Sequence, residues 1–573
     1  MELDFRFNHP LDKRVVSLFE KIADSCRPKY NDIIRDSSVP LMSNIDWWCE
    51  SVSSRNTYAS PLFHYICCIE LFKTLLTENL YKPKRVIADS KELAKIFEKI
   101  AGDLSIDNIE IIYDIDFADK IKVKIKDFYY EWFIFFRAFR VLVTRFFFKS
   151  KINLHIKEPI VLIDTFVTSS YIHEDRWYGS LWENLGVDLQ RKVFFVPTIV
   201  DTSFISFLNI LKGLISSSRN LILKEEYLTF NDLLDTYLHK YRVKKLRPGK
   251  SFLGEIEITA LVNECLLSNR DINSTIESLL TYRFLKNLSS SSLEVRLAID
   301  WFEGHSLDKM WNLGLYEFFP NCKRMAYETF RSFPYYLSTF PTLTERESNT
   351  IPEVFAVQGP ACKEGIKEFL PDLKVISVPA FKNQHVWDDN NSLFSSDKVV
   401  LVAFPISLRT STKMLEVLIE NYSLNGFQGV SYILKSHPVN NFKDIESRLR
   451  VGLPQAFKFT EERSFPKLLT KSSILITEAS SVCLESFAVG KPVIIIQSSS
   501  GLTYDPVPSG IPSVLFKKCN SSEDISVALN SFLMLNKEQL TKNMHLGRQI
   551  RNDYFERVTE EGINRFLDIK NKN

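Results

Sequence analysis

The 573-residue chain has no long uncharged apolar run. None reaches the roughly 18 to 20 residues that a membrane-spanning helix needs. Its first residues, Met1 to Arg6, lack the basic-then-apolar order of a signal peptide, so a cytoplasmic location is expected. Charge of one sign is also lacking. The 72 Lys and Arg nearly cancel the 70 Asp and Glu, for a net +2. No strong global field points to nucleic acid as a partner. The nine cysteines (26, 49, 67, 68, 265, 322, 362, 483 and 519) never form a CxxC pair. Neither a zinc site nor a disulfide framework is expected, and no metal or other cofactor is assigned. There is no internal repeat and no low-complexity segment. What remains is globular: 45% hydrophobic, 25% charged, with 44 phenylalanines. That length exceeds one ordinary core and implies two or three domains.

Strand and helix patterns alternate along much of the chain. Arg85 to Ser90, then the amphipathic Lys91 to Ile100, make a βα unit, with Ser90 placed to cap the helix. Asn108 to Tyr113 and Pro159 to Asp164 read as strands, and Lys192 to Pro197 as another. From about residue 350 the alternation becomes regular, with Val- and Ile-rich runs at 354–357, 374–378, 399–404, 431–435, 473–477 and 493–497. Such runs fit parallel strands buried on both faces. The expected fold is α/β, with two Rossmann-like lobes. Residues 1–345 form the first lobe and 350–545 the second, with a helical tail at 546–573. Residues 340–352 are the candidate linker.

Residues 120–151 depart from this pattern. Lys120, Lys122, Lys124 and Lys126 alternate with apolar residues, and an aromatic helix follows. Trp132, Phe135, Phe136, Phe139, Val143 and Phe146 fall at helical spacing on one face, with Arg137, Arg140, Thr144 and Arg145 off it. A basic, aromatic amphipathic helix suits the inner face of the cytoplasmic membrane, with rings at the headgroup boundary and cations on anionic lipid. A core helix with snorkelling arginines is the other reading.

The chemistry concentrates between Val430 and Gln497. One apolar run ends in Lys435, Ser436, His437 and Pro438; another ends in Thr477, Glu478, Ala479, Ser480 and Ser481, with Glu485 a turn further on. Polar clusters at the carboxyl ends of parallel strands are where such folds hold ligands. Ser480 and Ser481 stand where a helix begins, so free amides and hydroxyls can meet phosphate. Glu485 can accept from ribose hydroxyls. His437 can donate to a phosphate or neutralise charge on a departing nucleotide. In the first half, Asp300, Glu303 and His305 follow an apolar run beside Trp301. Glu174 and Asp175 lie in a polar loop after the 159–164 strand.

The His437-Pro438 turn followed by the Ser480-Ser481 helix start resembles the C-terminal lobe of GT-B glycosyltransferases. It is closest to bacterial enzymes that use CMP-activated sugars, such as sialyltransferases and Kdo transferases. CDP-glycerol transferases are similar there. The resemblance implies that His437, Pro438, Ser480 and Ser481 bind the donor's phosphate and cytidine. It covers about 350–550; the first lobe matches only as α/β. Sialyltransferases carry two acidic residues and a glycine in the first lobe. Here Asp175 is followed by Arg176, and the Glu303-Gly304 pair is preceded by Phe302. The catalytic carboxylate is therefore open among Glu303, Asp175 and Glu174. Glu478 and Glu485 are seven apart, not the eight of retaining enzymes, so stereochemistry is open too. The expectation is a metal-independent transferase acting on a nucleotide sugar, CMP-linked, and a cell-surface glycan acceptor. A CDP-polyol phosphotransferase, a sugar-nucleotide epimerase and a non-catalytic membrane-docked scaffold are the alternatives.

Overall fold

The structure is a computed structural model. It describes residues 2–569 apart from 82, 107, 116, 148–157, 170, 173–174, 201–202, 269, 292, 330–332, 389–397, 426, 428, 439, 479 and 499–500. The chain forms two compact units: 1–357 with 363–376 and 563–573, and 358–362 with 377–562.

The first unit opens with a three-stranded parallel sheet, β1 (Glu2–Asp4), β2 (Arg85–Ala88) and β3 (Glu110–Tyr113). Ser90 caps the following helix, as its position predicts: its side chain accepts from the Leu93 amide at 3.0 Å. Next come β4 (Ile160–Val167), β5 (Val193–Ile199), the hairpin β6 (Phe252–Leu253) and β7 (Ile256–Glu257), then β8 (Val295–Trp301), β9 (Lys323–Glu328), β10 (Val354–Val357) and β11 (Val375–Ser377). Six of these form one sheet in the order β11-β10-β9-β8-β4-β5. Its face is closed by helices Ile272–Ser289 and Ser306–Phe318 through Ile276, Leu280, Phe284, Trp311 and Leu315. Each such side chain contributes about 1.5–3 kcal/mol when buried.

The second unit holds β12 (Val399–Ala403), β13 (Ser431–Lys435), β14 (Phe457–Phe459), β15 (Ile474–Thr477), β16 (Val493–Ile496) and β17 (Phe516–Cys519), in the order β14-β13-β12-β15-β16-β17. All five pairings are parallel. The α/β class with two Rossmann-like lobes is thus the one the Val/Ile runs predict.

The division falls elsewhere than the alternation suggests. β10 and β11 follow the candidate linker in the chain but extend the first sheet, Phe355 pairing with Ala326 of β9. Residues 340–352 do not form an open linker. Glu345 is buried, and it binds the Arg55 guanidinium at 2.8 Å and the Lys309 ammonium at 2.7 Å. The last helix, Glu560–Phe566, ends in the first unit, with the Phe566 ring on Tyr327.

Helix Phe117–Phe147 also differs from the single aromatic face expected of it. Phe136 and Val143 are buried, whereas Trp132, Phe135 and Phe146 are exposed. Arg137 and Arg140 point inward. Arg137 pairs with Glu277 at 2.8 Å. Arg140 pairs with Glu225 and donates to the Ile199 carbonyl at 3.1 Å. Their guanidiniums tolerate burial because carboxylates of other helices meet them. Among the described residues, no helix is long and apolar enough to cross a membrane.

Candidate functional site

In each six-stranded sheet the chain reverses its direction of winding once. In the first the reversal lies between β4 and β8; in the second, between β12 and β15. Open parallel sheets bind ligands outside the carboxyl ends of strands at such points. Some of the predicted residues lie at each: Glu303 follows β8, and Thr477, Glu478, Ser480 and Ser481 follow or end β15.

At the first, β4 delivers Asp164 and β8 delivers Asp300, both buried. Burial raises Asp164 to about 6, partly offset by Lys224, whose ammonium lies 3.8 Å away. Burial raises Asp300 to about 8, against the hydrogen bond it accepts from the Asn312 amide at 2.8 Å. Beyond β8 the backbone turns at Gly304, with φ of 69°. A Cβ there would lie 1.7 Å from the Ser338 carbonyl oxygen, so only glycine fits. The turn is held on both sides of Glu303. Asp308 Oδ2 accepts from the Glu303 and His305 amides at 3.1 and 2.8 Å, and the Ser338 hydroxyl donates to the Glu303 carbonyl at 2.8 Å.

This places three side chains together. The Tyr336 hydroxyl lies 3.1 Å from Glu303 Oε2, His305 Nε2 is hydrogen-bonded to the same hydroxyl, and His305 Nε2 stands 3.5 Å from Glu303 Oε2. An ionised carboxylate only accepts, so the tyrosine proton goes to Glu303 and His305 Nε2 must carry the hydrogen directed at Tyr336. Burial and then Lys309 push the His305 imidazole down, to about 4, which keeps it neutral. Glu303 and His305 still reach solvent, with 19% and 29% of their side chains exposed.

Asp175 lies in the same unit but not in this group. Its Oδ1 accepts from the Trp177 and Tyr178 amides at 2.9 and 3.0 Å; its Oδ2 takes the Thr165 hydroxyl at 2.9 Å and the Arg219 guanidinium at 3.2 Å. It ties the loop after β4 to that strand. Trp177 then stacks on Trp301, with ring centres 3.8 Å apart. Glu174 lies outside the described residues.

At the second reversal, the Thr477 hydroxyl donates to the Ala403 carbonyl at 2.8 Å, joining the ends of β15 and β12. Glu478 follows, buried; burial raises it to about 7 against a hydrogen bond from Ser498. Ser480 and Ser481 are half-buried and lead into helix Val482–Ala488. Ser481 is the N-cap but makes no capping bond through its side chain. β13 lies next-but-one to β15, so its end is about 10 Å away. There the half-buried His437 begins a turn, Pro438 is exposed, and the Asn440 amide donates to the His437 carbonyl at 2.9 Å. Asn440 also donates to the Ile406 carbonyl at 2.7 Å, joining this turn to the loop after β12. Lys435 is directed elsewhere: its ammonium donates to the Glu462 carbonyl at 2.7 Å.

Glu485 is already engaged. It is buried, and His385 Nε2 lies 2.9 Å from its Oε2. The burial that would raise it is outweighed by His385, and the carboxyl lies below its ordinary range. The sequence reading missed His385, which stands 100 residues before its partner in an irregular helical turn, Phe381–Trp387.

It also missed one buried cluster in the first unit, formed by Cys49, Glu50 and His239. Their ligand atoms lie within 4.8 Å of one another, a spacing that could hold a metal ion. Both ring nitrogens of His239 are engaged, however, with Asp46 and Glu50 each at 2.7 Å. Burial opposes its charge, but its neighbours outweigh burial and raise His239 well above the ordinary value. Asp46 also takes the Arg242 guanidinium at 2.7 Å, so two cations balance two carboxylates. A metal ion there would displace the proton between His239 and Glu50.

No family model matches the chain, and no curated protein matches it. Several solved structures resemble its backbone. MnaA of S. aureus with UDP aligns at 10% identity and a TM-score of 0.42, over 73% of this chain and 99% of that one. The UDP-GlcNAc 2-epimerase of Neisseria meningitidis bound to UDP-GlcNAc aligns at 12% and 0.41, over 72% and 100%. MurG of Acinetobacter baumannii aligns at 10% and 0.37, over 72% and 100%.

Proposed function

We propose that the chain is a GT-B-type glycosyltransferase that moves a sugar from a nucleotide donor to a cell-surface polysaccharide or lipopolysaccharide acceptor. The second unit binds the donor and the first activates the acceptor. The observation that carries this reading is the pair of strand-end clusters, each at the point where its sheet reverses winding. The helix start with the Ser480 and Ser481 hydroxyls suits phosphate oxygens, Thr477 fixes the end of β15 to β12 behind them, and His437 suits the charge that develops as the nucleotide leaves. Glu478 and the ring of Pro438 border that site. The donor we infer is CMP-linked, with an ulosonic acid of the Kdo or sialic-acid kind as its sugar.

Glu303 is the carboxylate we assign to the acceptor hydroxyl. A general base needs a carboxylate that reaches solvent beside groups that hold it in place, and Glu303 has both. Asp175 is occupied by four donors, which supports an anchoring role for it.

The experiment is donor consumption with CMP-Kdo, CMP-sialic acid and CDP-glycerol, with and without a polysaccharide acceptor. Acceptor-dependent release of CMP from a CMP-sugar supports the reading. Turnover of CDP-glycerol alone points to polyol-phosphate transfer, and donor conversion without acceptor points to an epimerase.

A separate observation favours docking at the inner face of the membrane. Phe128, Trp132, Phe135, Leu142 and Phe146 are exposed along one line of helix Phe117–Phe147. Ile205 and Leu208 of helix Phe204–Ser216 are exposed as well, and Phe204 of that helix packs on Trp132 and Phe139. Exposed Lys120 and Arg145 lie towards the two ends of the long helix. An aromatic stripe with flanking cations suits an anionic lipid surface.

A further inference from the structure

The group around Glu303 has a fourth member that the base assignment does not use. Tyr58 sits in a buried turn, yet is itself 42% exposed. Its ring meets that of Tyr336 edge-on, with centres 4.8 Å apart. The turn is rigidly placed. The Thr57 hydroxyl donates to the Tyr335 carbonyl at 2.6 Å, and the buried Arg55 guanidinium donates to the Phe340 carbonyl. The segment just before Tyr58 is therefore bonded to the chain on either side of Tyr336.

We propose that Tyr58, Glu303, Tyr336 and His305 form a pyranose-binding subsite, in which the Tyr58 ring packs on the sugar's apolar face and Glu303 accepts the sugar hydroxyl that reacts. This rests on the transferase reading above and names the part of the acceptor that the first unit holds. An exposed aromatic ring beside a few convergent polar groups is the chemistry such a ligand needs. The hydrogen-bond direction supports it. His305 donates to Tyr336 and Tyr336 donates to Glu303, so the Glu303 side chain is aimed in a single direction. Tyr336 and His305 are positioning residues; Glu303 is the catalytic one. The other charged groups around the turn, Asp308 and Lys309, are buried and committed to the Glu303 and His305 amides and to Glu345.

Two readouts test this. The first is saturation-transfer NMR with methyl α-D-galactopyranoside and methyl α-D-glucopyranoside, alongside thermal shift with CMP. Wild type should transfer saturation to at least one glycoside, Tyr58→Ala should lose it, and Tyr58→Phe should keep it. The CMP shift should be the same in all three. Equal transfer in wild type and Tyr58→Ala, or no transfer in wild type, overturns the subsite. The second is the pH profile of CMP release from CMP-Kdo and CMP-sialic acid with acceptor. Tyr336→Phe removes the donor that stabilises the Glu303 carboxylate, so the acidic limb of kcat/KM should move up by about one pH unit. An unmoved limb overturns the positioning role. A wild type that neither responds to CMP nor consumes either donor contradicts the donor reading, whatever the glycosides do.

Discussion

The two strand-end clusters are built from opposite materials. In the first unit the reversal point is crowded with buried ionisable groups, Asp164, Asp300, Asp308, Lys224 and Lys309, most of them matched by a partner. In the second it is sparse: hydroxyls at Thr477, Ser480 and Ser481, a turn carrying His437, and the buried carboxyl of Glu478. Dense matched charge fixes a backbone in one conformation, so a single solvent-reaching carboxylate can be aimed. Hydroxyls and amides are suited to holding an anion that arrives from outside. On the transferase reading, the same sheet topology serves proton chemistry in one unit and phosphate binding in the other.

The sharpest way to separate the two is Glu303→Gln. Transfer should fall about 10²- to 10⁴-fold, the usual worth of a general base, while CMP still stabilises the protein. A variant that retains its rate would remove the base from the first cluster. The charge matching is tested by Arg140→Met, which strands Glu225 and should cost about 3–5 kcal/mol in chemical denaturation. Adding Glu225→Gln should recover part of that loss. No recovery would mean that the pair is not coupled.

Glu478 gives a pH signature for the second cluster. Its carboxyl is raised from 4.5 to about 7 in the fold. Below 4.5 both states hold the proton. Between there and 7 the unfolded chain releases it and the fold keeps it, so stability falls as pH rises across that window. The full effect is about 3 kcal/mol at most. Glu478→Gln should remove this slope, and its Tm relative to wild type should rise from pH 5 to pH 8. A pH-independent difference would contradict the burial account. His437→Ala should weaken CMP binding by about 1.5–3 kcal/mol, the range for a hydrogen bond to a charged group. Trp132→Glu with Phe135→Glu should abolish flotation with anionic vesicles and leave CMP binding intact. Unchanged flotation removes the membrane surface.

The fold class was legible in the sequence alone. Parallel strands such as Ile474–Thr477 are buried on both faces, so unbroken Val and Ile runs mark them. Polar residues that end those runs then mark the reversal points. What pattern alone does not carry is pairing at a distance. Arg140 reads as a membrane-facing cation until Glu225, 85 residues on, claims it. His239 meets Glu50 across 189 residues, and His385 meets Glu485 across 100. Tyr336 and Tyr58 gave no periodic signal, because a turn residue's neighbours are set by tertiary contacts. The domain boundary was obscured for the same reason: β10 and β11 have the composition of the second sheet but the register of the first.

The central claim is that the second unit binds a nucleotide. Thermal shift of the wild-type chain with CMP, CDP, UDP and GDP tests it directly. A ligand that binds only the folded state raises the midpoint with concentration, by about 2.7 kcal/mol of stability at a hundredfold excess over Kd. The account predicts the largest rise for CMP, and a smaller one in Ser480→Ala with Ser481→Ala. No rise with any of the four, or a rise that the serine pair does not affect, would contradict it.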